Sequence, residues 1–284
     1  MQKNPVADRL VIVKGGGDLA TGTAHRLFRA GFPVIVTEVE NPTMVRRTVA
    51  FAECLYSGSI EVEGVEARPA RGKTPREKLA AARALLAEGM VPVVVDPEGA
   101  IVPLARPAAL VDAILAKKNL GTRMDQAEVV VALGPGFAAG EDAHAVIETA
   151  RGHDIGRVIL EGPAEPDTGV PGPIAGYTTE RLLRAPAGGR FEPICRIGDR
   201  VEKGQAVARV GGQEVKAQIA GILRGLIREG LEVSQGFKVG DVDPRATPGH
   251  CFTISDKSRA VAGGVLEAIM MFLFGVQSAA ERTH

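Results

Sequence analysis

The chain has 284 residues, and its 34 basic and 34 acidic side chains cancel to a formal net charge of zero. Hydrophobic residues make up 45% and aromatics 4%, with no tryptophan, so a packed core is expected and a basic, base-stacking surface for nucleic acid is not. Three cysteines (Cys54, Cys195, Cys251) stand far apart with no C-x-x-C, which argues against a zinc knuckle or disulfide framework.

Leu10 to Val13 reads as a buried parallel strand, and Gly15 to Gly17 forces a tight turn after it. Ala20, Ala24, Leu27 and Phe28 then recur at helical spacing until Gly31. Gly15, Gly17 and Ala20 fit G-x-G-x-x-A, a turn that brings main-chain amides and a helix amino terminus up to a phosphate. Glu38 closes a second apolar strand (Val34 to Val36), at the sequence distance where an acidic side chain accepts a ribose hydroxyl. Gly15, Gly17, Asp18 and Thr21 are therefore the expected phosphate cradle, with Glu38 on a hydroxyl.

Asn41-Pro42-Thr43 reads as a helix start, and Arg46 and Arg47 follow, either to hold a ligand phosphate or to form a solvated helix face. Cys54, with no His or Lys beside it, reads as a small buried residue. Ser59 to Pro69 alternates around Glu63-Gly64 as a hairpin. Thr74 to Met90 carries a capping box, Thr74 with Glu77, and a helix-opening Pro75. Val91 to Val95 is a strand ending at Asp96, a ligand contact or a turn cap.

Pro107 to Lys117 is expected to be a helix and Glu128 to Leu133 a strand that runs into Gly134 and Gly136. A further helix over Glu141 to Thr149 would set His144 and Glu148 one turn apart on one face, with Arg151 and His153 after it. Such a group is suited to moving a proton, binding a metal or holding an anion, or else to packing alone. The Pro- and Gly-rich loop after Leu160, with Asp167 to Gly172 inside it, either folds over a ligand or connects domains.

Beyond Pro186 the chain turns to short Val-rich strands, and Ile197 to Val207 repeats as Glu229 to Val239 at an offset of thirty-two residues. This resembles the biotinyl/lipoyl barrel-sandwich fold, but the hairpin tip is Gly211-Gly212-Gln213 rather than a carrier lysine. Ala260 to Val276 is apolar but short for a bilayer and holds Glu267, so a docked helix is expected, seated on the protein body or on a second copy in a homo-oligomer. The expected architecture is α/β: a Rossmann-like doubly wound parallel sheet over 1–186, a barrel-sandwich module over 187–246, and a C-terminal segment with an apolar helix over 247–284. The opening Met-Gln-Lys-Asn-Pro has no signal-peptide pattern, so the expected location is cytoplasmic.

Lys14 to Gly22, Glu38 to Phe51, Gly134 to His153, Thr168 to Gly172, Gly240 to Arg245 and Phe252 to Lys257 together resemble the YqeB family of selenium-dependent molybdenum hydroxylase accessory proteins. The resemblance extends more distantly to the Rossmann part of the XdhC/CoxI maturation factors. It implies a maturation factor that binds a phosphate-bearing nucleotide (NAD(P)-like) or a molybdopterin-type cofactor and meets a molybdenum hydroxylase apoenzyme. Similar proteins are expected to carry Cys where this chain has Ala143, which shifts weight towards a binding role for His144 and Glu148. Cofactor-binding candidates are Gly15, Gly17, Asp18, Thr21, Glu38, Arg46, Gly134 and Gly136. Two other readings stay open. An NAD(P)-dependent oxidoreductase lacks a visible substrate domain, and a non-catalytic scaffold would dock the hydroxylase through the barrel and the Met/Phe-rich helix.

Overall fold

The computed structural model describes residues 5–275; the first four residues, and Val276 at the end of the apolar run, lie outside the described residues. Strand β1 (Val11–Lys14) enters α1 (Asp18–Arg29) and returns as β2 (Val34–Glu38). A short helix, α2 (Cys54–Ser57), leads to the hairpin of β3 (Ile60–Val62) and β4 (Val65–Pro69), then α3 (Pro75–Ala87) and β5 (Val91–Val95). Helix α4 (Val102–Ala105) precedes β6 (Ala109–Asp112), β7 (Val129–Leu133), β8 (Ala138–Ala139), β9 (Ala145–Ile147), β10 (Val158–Ile159) and β11 (Gly162–Pro163).

Nine of these strands form one mixed sheet in the order β10-β9-β7-β6-β1-β2-β5-β4-β3, while β8 and β11 pair separately. The seven inner strands are parallel, and β10 and β3 run antiparallel at the two edges. Strand pleating sends alternate residues to opposite faces. Val11, Val13, Val34 and Val36 pack with Ala24 and Leu27 of α1, whereas Ile12, Ile35 and Leu110 pack with Leu79 and Ala82 of α3.

The remaining strands are β12 (Leu182–Arg184), β13 (Gly189–Pro193), β14 (Arg200–Val201), β15 (Ala206–Val210), β16 (Gln213–Lys216), β17 (Gly221–Leu226), β18 (Glu232–Val233) and β19 (Lys238–Asp243). They form two four-stranded antiparallel sheets, β12-β19-β17-β14 and β16-β15-β13-β18. Exchanging each strand for its repeat partner converts one order into the other. The two halves are therefore interleaved, and each contributes two strands to both sheets. Helix α5 (Asp256–Phe274) then returns to the first sheet, where Val261, Val265, Ala268 and Ile269 join the core over α1.

These observations correct the expected architecture. A doubly wound Rossmann sheet needs helical crossovers on both faces, but β6, β7 and β9 follow one another without an intervening α-helix. Among the described residues there are five α-helices, and only α1, α3 and α5 exceed four residues. A large mixed sheet with two antiparallel sheets replaces the Rossmann-plus-barrel-sandwich arrangement. The C-terminal helix belongs to the core of the first sheet.

Two helix readings fail for one reason. Residues 107–117 and 141–149 contain β6 and β9, apolar runs buried on both faces, and a run that short has no period to separate strand from helix. The helix expected after Asn41 is also absent; only a 3-10 turn at Arg47–Val49 forms there. In contrast, Thr74 and Glu77 make the expected reciprocal capping box at the start of α3. No helix among the described residues is long and apolar enough to cross a membrane.

Candidate functional site

A cavity of about 580 Å³ opens at the carboxyl ends of β7 and β9, between the first sheet and the β12-β19-β17 wall. Asp18 and Leu19 bring the amino terminus of α1 to its surface, and Ser255 and Lys257 bring that of α5. Amides in the first turn of a helix have no intrahelical acceptor, and both helix dipoles present their positive ends here. Eight basic side chains and four carboxylates line the space. Arg46, Lys117, Arg151 and Lys257 come from the first sheet's side; Arg181, Arg184, Arg224 and Lys238 come from the small sheets.

Most of these cations are already engaged. Arg46 is only 6% exposed; its Nη1 donates to Asp18 at 3.2 Å, and its Nη2 donates to the carbonyls of His250 and Thr253. Its buried Nε has no partner. Arg151 donates twice to Asp256, at 2.7 and 3.0 Å, and these bonds hold that carboxyl well below the usual carboxylate range. Arg181 and Arg224 share the buried carboxylate of Asp241, and Lys117 pairs with Asp167 at 2.6 Å. Behind them Asp243 is fully buried. Burial works to raise its carboxyl, but hydrogen bonds from Arg245 and the charge of Arg224 bring it down to about 2.

Lys238 and Lys257 form no ion pair among the described residues. Desolvation pushes both ammoniums below the ordinary lysine value, partly offset by the carboxylates of Asp241 and Asp18 at Lys238 and of Asp18 at Lys257. Lys238 is exposed at the cavity, and Lys257 is half-buried.

The expected cradle is only partly assembled. Gly15 has φ +95° and lies against the Ala113 carbonyl, where a Cβ would stand 2.9 Å away, so it makes the tight turn. Gly17 precedes α1 with open space around it, and Asp18 reaches the cavity. Thr21 does not: it is fully buried, its hydroxyl donating to the Gly16 carbonyl and accepting from the Phe51 amide. Glu38 does not hold a ligand hydroxyl either. Its two oxygens accept from the Gly16 and Val39 amides, each at 2.8 Å, and burial raises its carboxyl. The carboxylate thus occupies one of the turn's own amides.

Gly134 and Gly136 take left-handed φ values of +72° and +104°, and the turn they shape carries Pro135 to the cavity wall. His144 and Glu148 flank strand β9 at its two ends rather than sharing a helix face, about 13 Å apart at strand rise. Glu148, 3% exposed, is consumed in holding backbone: it accepts from the amides of Ala150 and Glu165. His144 sits a strand length from the cavity, its Nδ1 accepting from the Val130 amide and its ring edge-on to Phe272 at 5.7 Å. Asp96 caps the Ala100 and Ile101 amides. Cys54 is buried, its thiol pushed up to about 12 by desolvation.

Of the residues singled out in the sequence, the structure gathers Asp18, Arg46, Arg151 and the Asp167–Gly172 loop at one cavity. Lys238, Lys257, Arg181, Arg184 and Arg224 were not found, because no local spacing links positions scattered over 181–257. Among the described residues no group of three or more His, Cys, Asp or Glu side chains is placed to hold a metal ion.

No family model matches the chain. The uncharacterized protein YqeB of Escherichia coli K12 is 50% identical over 279 residues, covering 98% of this chain and 50% of its own length. The chain therefore spans about half the length of the curated relative it matches. Among solved structures, the ectoine utilization protein EutE (DoeB) of Ruegeria pomeroyi aligns at 15% identity and TM-score 0.26, covering 83% of this chain and 85% of that one. An aspartoacylase family protein of Mesorhizobium loti aligns at 13% and 0.26, covering 82% and 84%. TcdA (CsdL) aligns at 15% and 0.28, covering 94% and 91%. Overlaps this loose carry neither fold nor activity across. Over the half of YqeB that it spans, by contrast, half of the aligned residues are identical, and the chain is similar to that half of YqeB.

Proposed function

We propose that the chain binds a phosphate-bearing cofactor, of nucleotide or molybdopterin type, as an accessory factor in the maturation of molybdenum hydroxylases. The observation that carries the binding half is the cavity itself. Eight basic side chains face four carboxylates there, at two helix amino termini and the carboxyl ends of parallel strands. A volume of about 580 Å³ suits a ligand of mononucleotide or pterin-phosphate size. Leu19, Pro135, Val170, Ile174 and Leu182 supply apolar wall for the uncharged part of such a molecule. The hydroxylase half rests on the resemblance to selenium-dependent hydroxylase accessory proteins. No side chain in the cavity is assigned a chemical step, so the reading is of a carrier or presenter of cofactor.

Mass spectrometry of small molecules released from natively purified protein tests this reading. A pterin or nucleotide phosphate in near-stoichiometric amount is expected. Recovery of no anionic ligand from protein purified out of cells that make the hydroxylase would overturn it.

A further inference from the structure

We propose that the chain forms a two-fold symmetric dimer through the exposed face of α5, with Glu267 of each copy set against Arg9 of the other. This pairing is independent of what the cavity holds.

Two observations carry it. The first is an apolar stripe on the helix. At about 100° per residue, Glu267, Met270, Met271 and Phe274 fall within an arc of about 100°, opposite Val261, Val265, Ala268 and Ile269 in the core. All four stripe residues are exposed, Met270 by 38% and Met271 and Phe274 by 39% each. A helix ordinarily turns charge to solvent, and three large apolar side chains side by side there mark an interaction face. Phe272 lies off the stripe, against the His144 ring. The second observation is the charge at the two ends. Glu267, at the start, has no hydrogen bond or ion pair among the described residues. Arg9 covers the other end, its guanidinium 5.8 Å from the centroid of the Phe274 ring. Glu128 engages only Nη1 of Arg9, in an exposed and therefore weak ion pair, which leaves the remaining N–H donors for a second carboxylate.

The occupant follows from that arrangement. A stripe that is anionic at one end, apolar in the middle and cationic at the other matches its own copy turned end for end, as a two-fold axis turns it. One antiparallel register meets every position at once. With the axis between Met270 and Met271, Glu267 lies across from Phe274 of the second copy and so beside its Arg9, while Met270 meets Met271. The two ion pairs then sit at the rim, and the methionines, whose unbranched side chains adapt to one another, fill the centre. A lipid surface fits less well, because it favours a basic border and this stripe carries a carboxylate. Helix α5 starts at the cavity and ends by Arg9, ahead of β1, so the pairing uses the end of the molecule away from the cavity.

Analytical ultracentrifugation of the full chain, from about 1 to 200 µM, tests the pairing. A reversible monomer–dimer equilibrium is expected. Met271→Glu, which sets two carboxylates beside the axis, should weaken it by about a hundredfold or more. Arg9→Glu and Glu267→Arg should each weaken it by about tenfold, since each substitution strikes both symmetry-related pairs. The double reversal should return to within about threefold of the parent. Lys203→Met, on an exposed turn of the small sheets, should change nothing. The substituted side chains all reach solvent, and circular dichroism shows whether each variant is folded. A chain that stays monomeric over the whole range would overturn the dimer, whether its stripe takes another protein, a membrane or nothing. So would a dimer that Met271→Glu leaves intact. Single reversals that weaken the dimer with no recovery in the double variant would overturn the pairing of Glu267 with Arg9.

Discussion

The hydroxyl of Ser258 donates to the main-chain carbonyl of Asp18 at 3.0 Å, pinning the first turn of α5 to the first turn of α1. The contact is possible because residue 22 is glycine. A Cβ there would stand 2.0 Å from the Ser258 oxygen. The rim of the cavity is thus set by helix contact rather than by a loop.

Gly22→Ala should therefore separate the two helices or displace Ser258, costing about 2 kcal/mol of stability. The double variant Gly22→Ala with Ser258→Ala should recover part of that loss, because the two sites share one contact. Chemical denaturation of the single and double variants measures the coupling. Strict additivity would show that the close approach is not what Gly22 provides.

His144 should prove structural. Burial pushes its imidazole below the ordinary value, and its Nδ1 needs a free electron pair to accept from Val130. A depressed folded value means stability fully present above the unfolded pKa of about 6.5 and lost as pH falls through the folded value. His144→Ala should cost about 1–2 kcal/mol near neutrality and flatten this acid limb, while leaving phosphate affinity unchanged. Melting curves across pH, with calorimetry at one pH, separate the two effects.

Asp241 holds two arginines and is buried, which makes it the least replaceable charge in the small sheets. Asp241→Asn leaves Arg181 and Arg224 without their counter-charge in a dry wall and should cost about 3 kcal/mol or more. Asp241→Glu, which restores charge but not reach, should fall between. Urea unfolding gives the order, and an Asn variant as stable as the parent would contradict it.

Glu38 distinguishes the turn from a ribose site. Its carboxylate accepts from Gly16 and Val39 at once, which a glutamine side chain cannot do with a single carbonyl oxygen. Glu38→Gln should alter stability by about 1 kcal/mol while leaving affinity for any nucleotide or phosphate within error. A selective loss of nucleotide binding by calorimetry would restore the hydroxyl-binding role.

Local chemistry was readable where a single short stretch decides the outcome. The Gly15 turn, the Glu63-Gly64 hairpin and the Thr74–Glu77 capping box are set by residues within a few positions of one another. The thirty-two-residue repeat was readable too, since strands such as Arg200–Val201 and Glu232–Val233 recur at that offset. What escaped was decided at a distance. Ala109–Asp112 and Ala145–Ile147 are strands because other strands pair along both their edges, a fact no window around them contains. Lys238 and Lys257 line one cavity because the chain passes through the small sheets and then comes back. Nothing in the segment around either lysine marks it apart from the chain's other lysines.

That return has a consequence for how the protein is made. Residues 261–269 close one side of a sheet whose strands are all in place by residue 159. A ribosome delivers them last. Until then Val11, Val13 and Val36 lack part of their cover, so the growing chain carries a greasy, strand-rich surface through more than a hundred codons of further synthesis. Messages truncated before that helix should yield polypeptides that chaperones hold and proteases clear, however complete their cavity-facing loops.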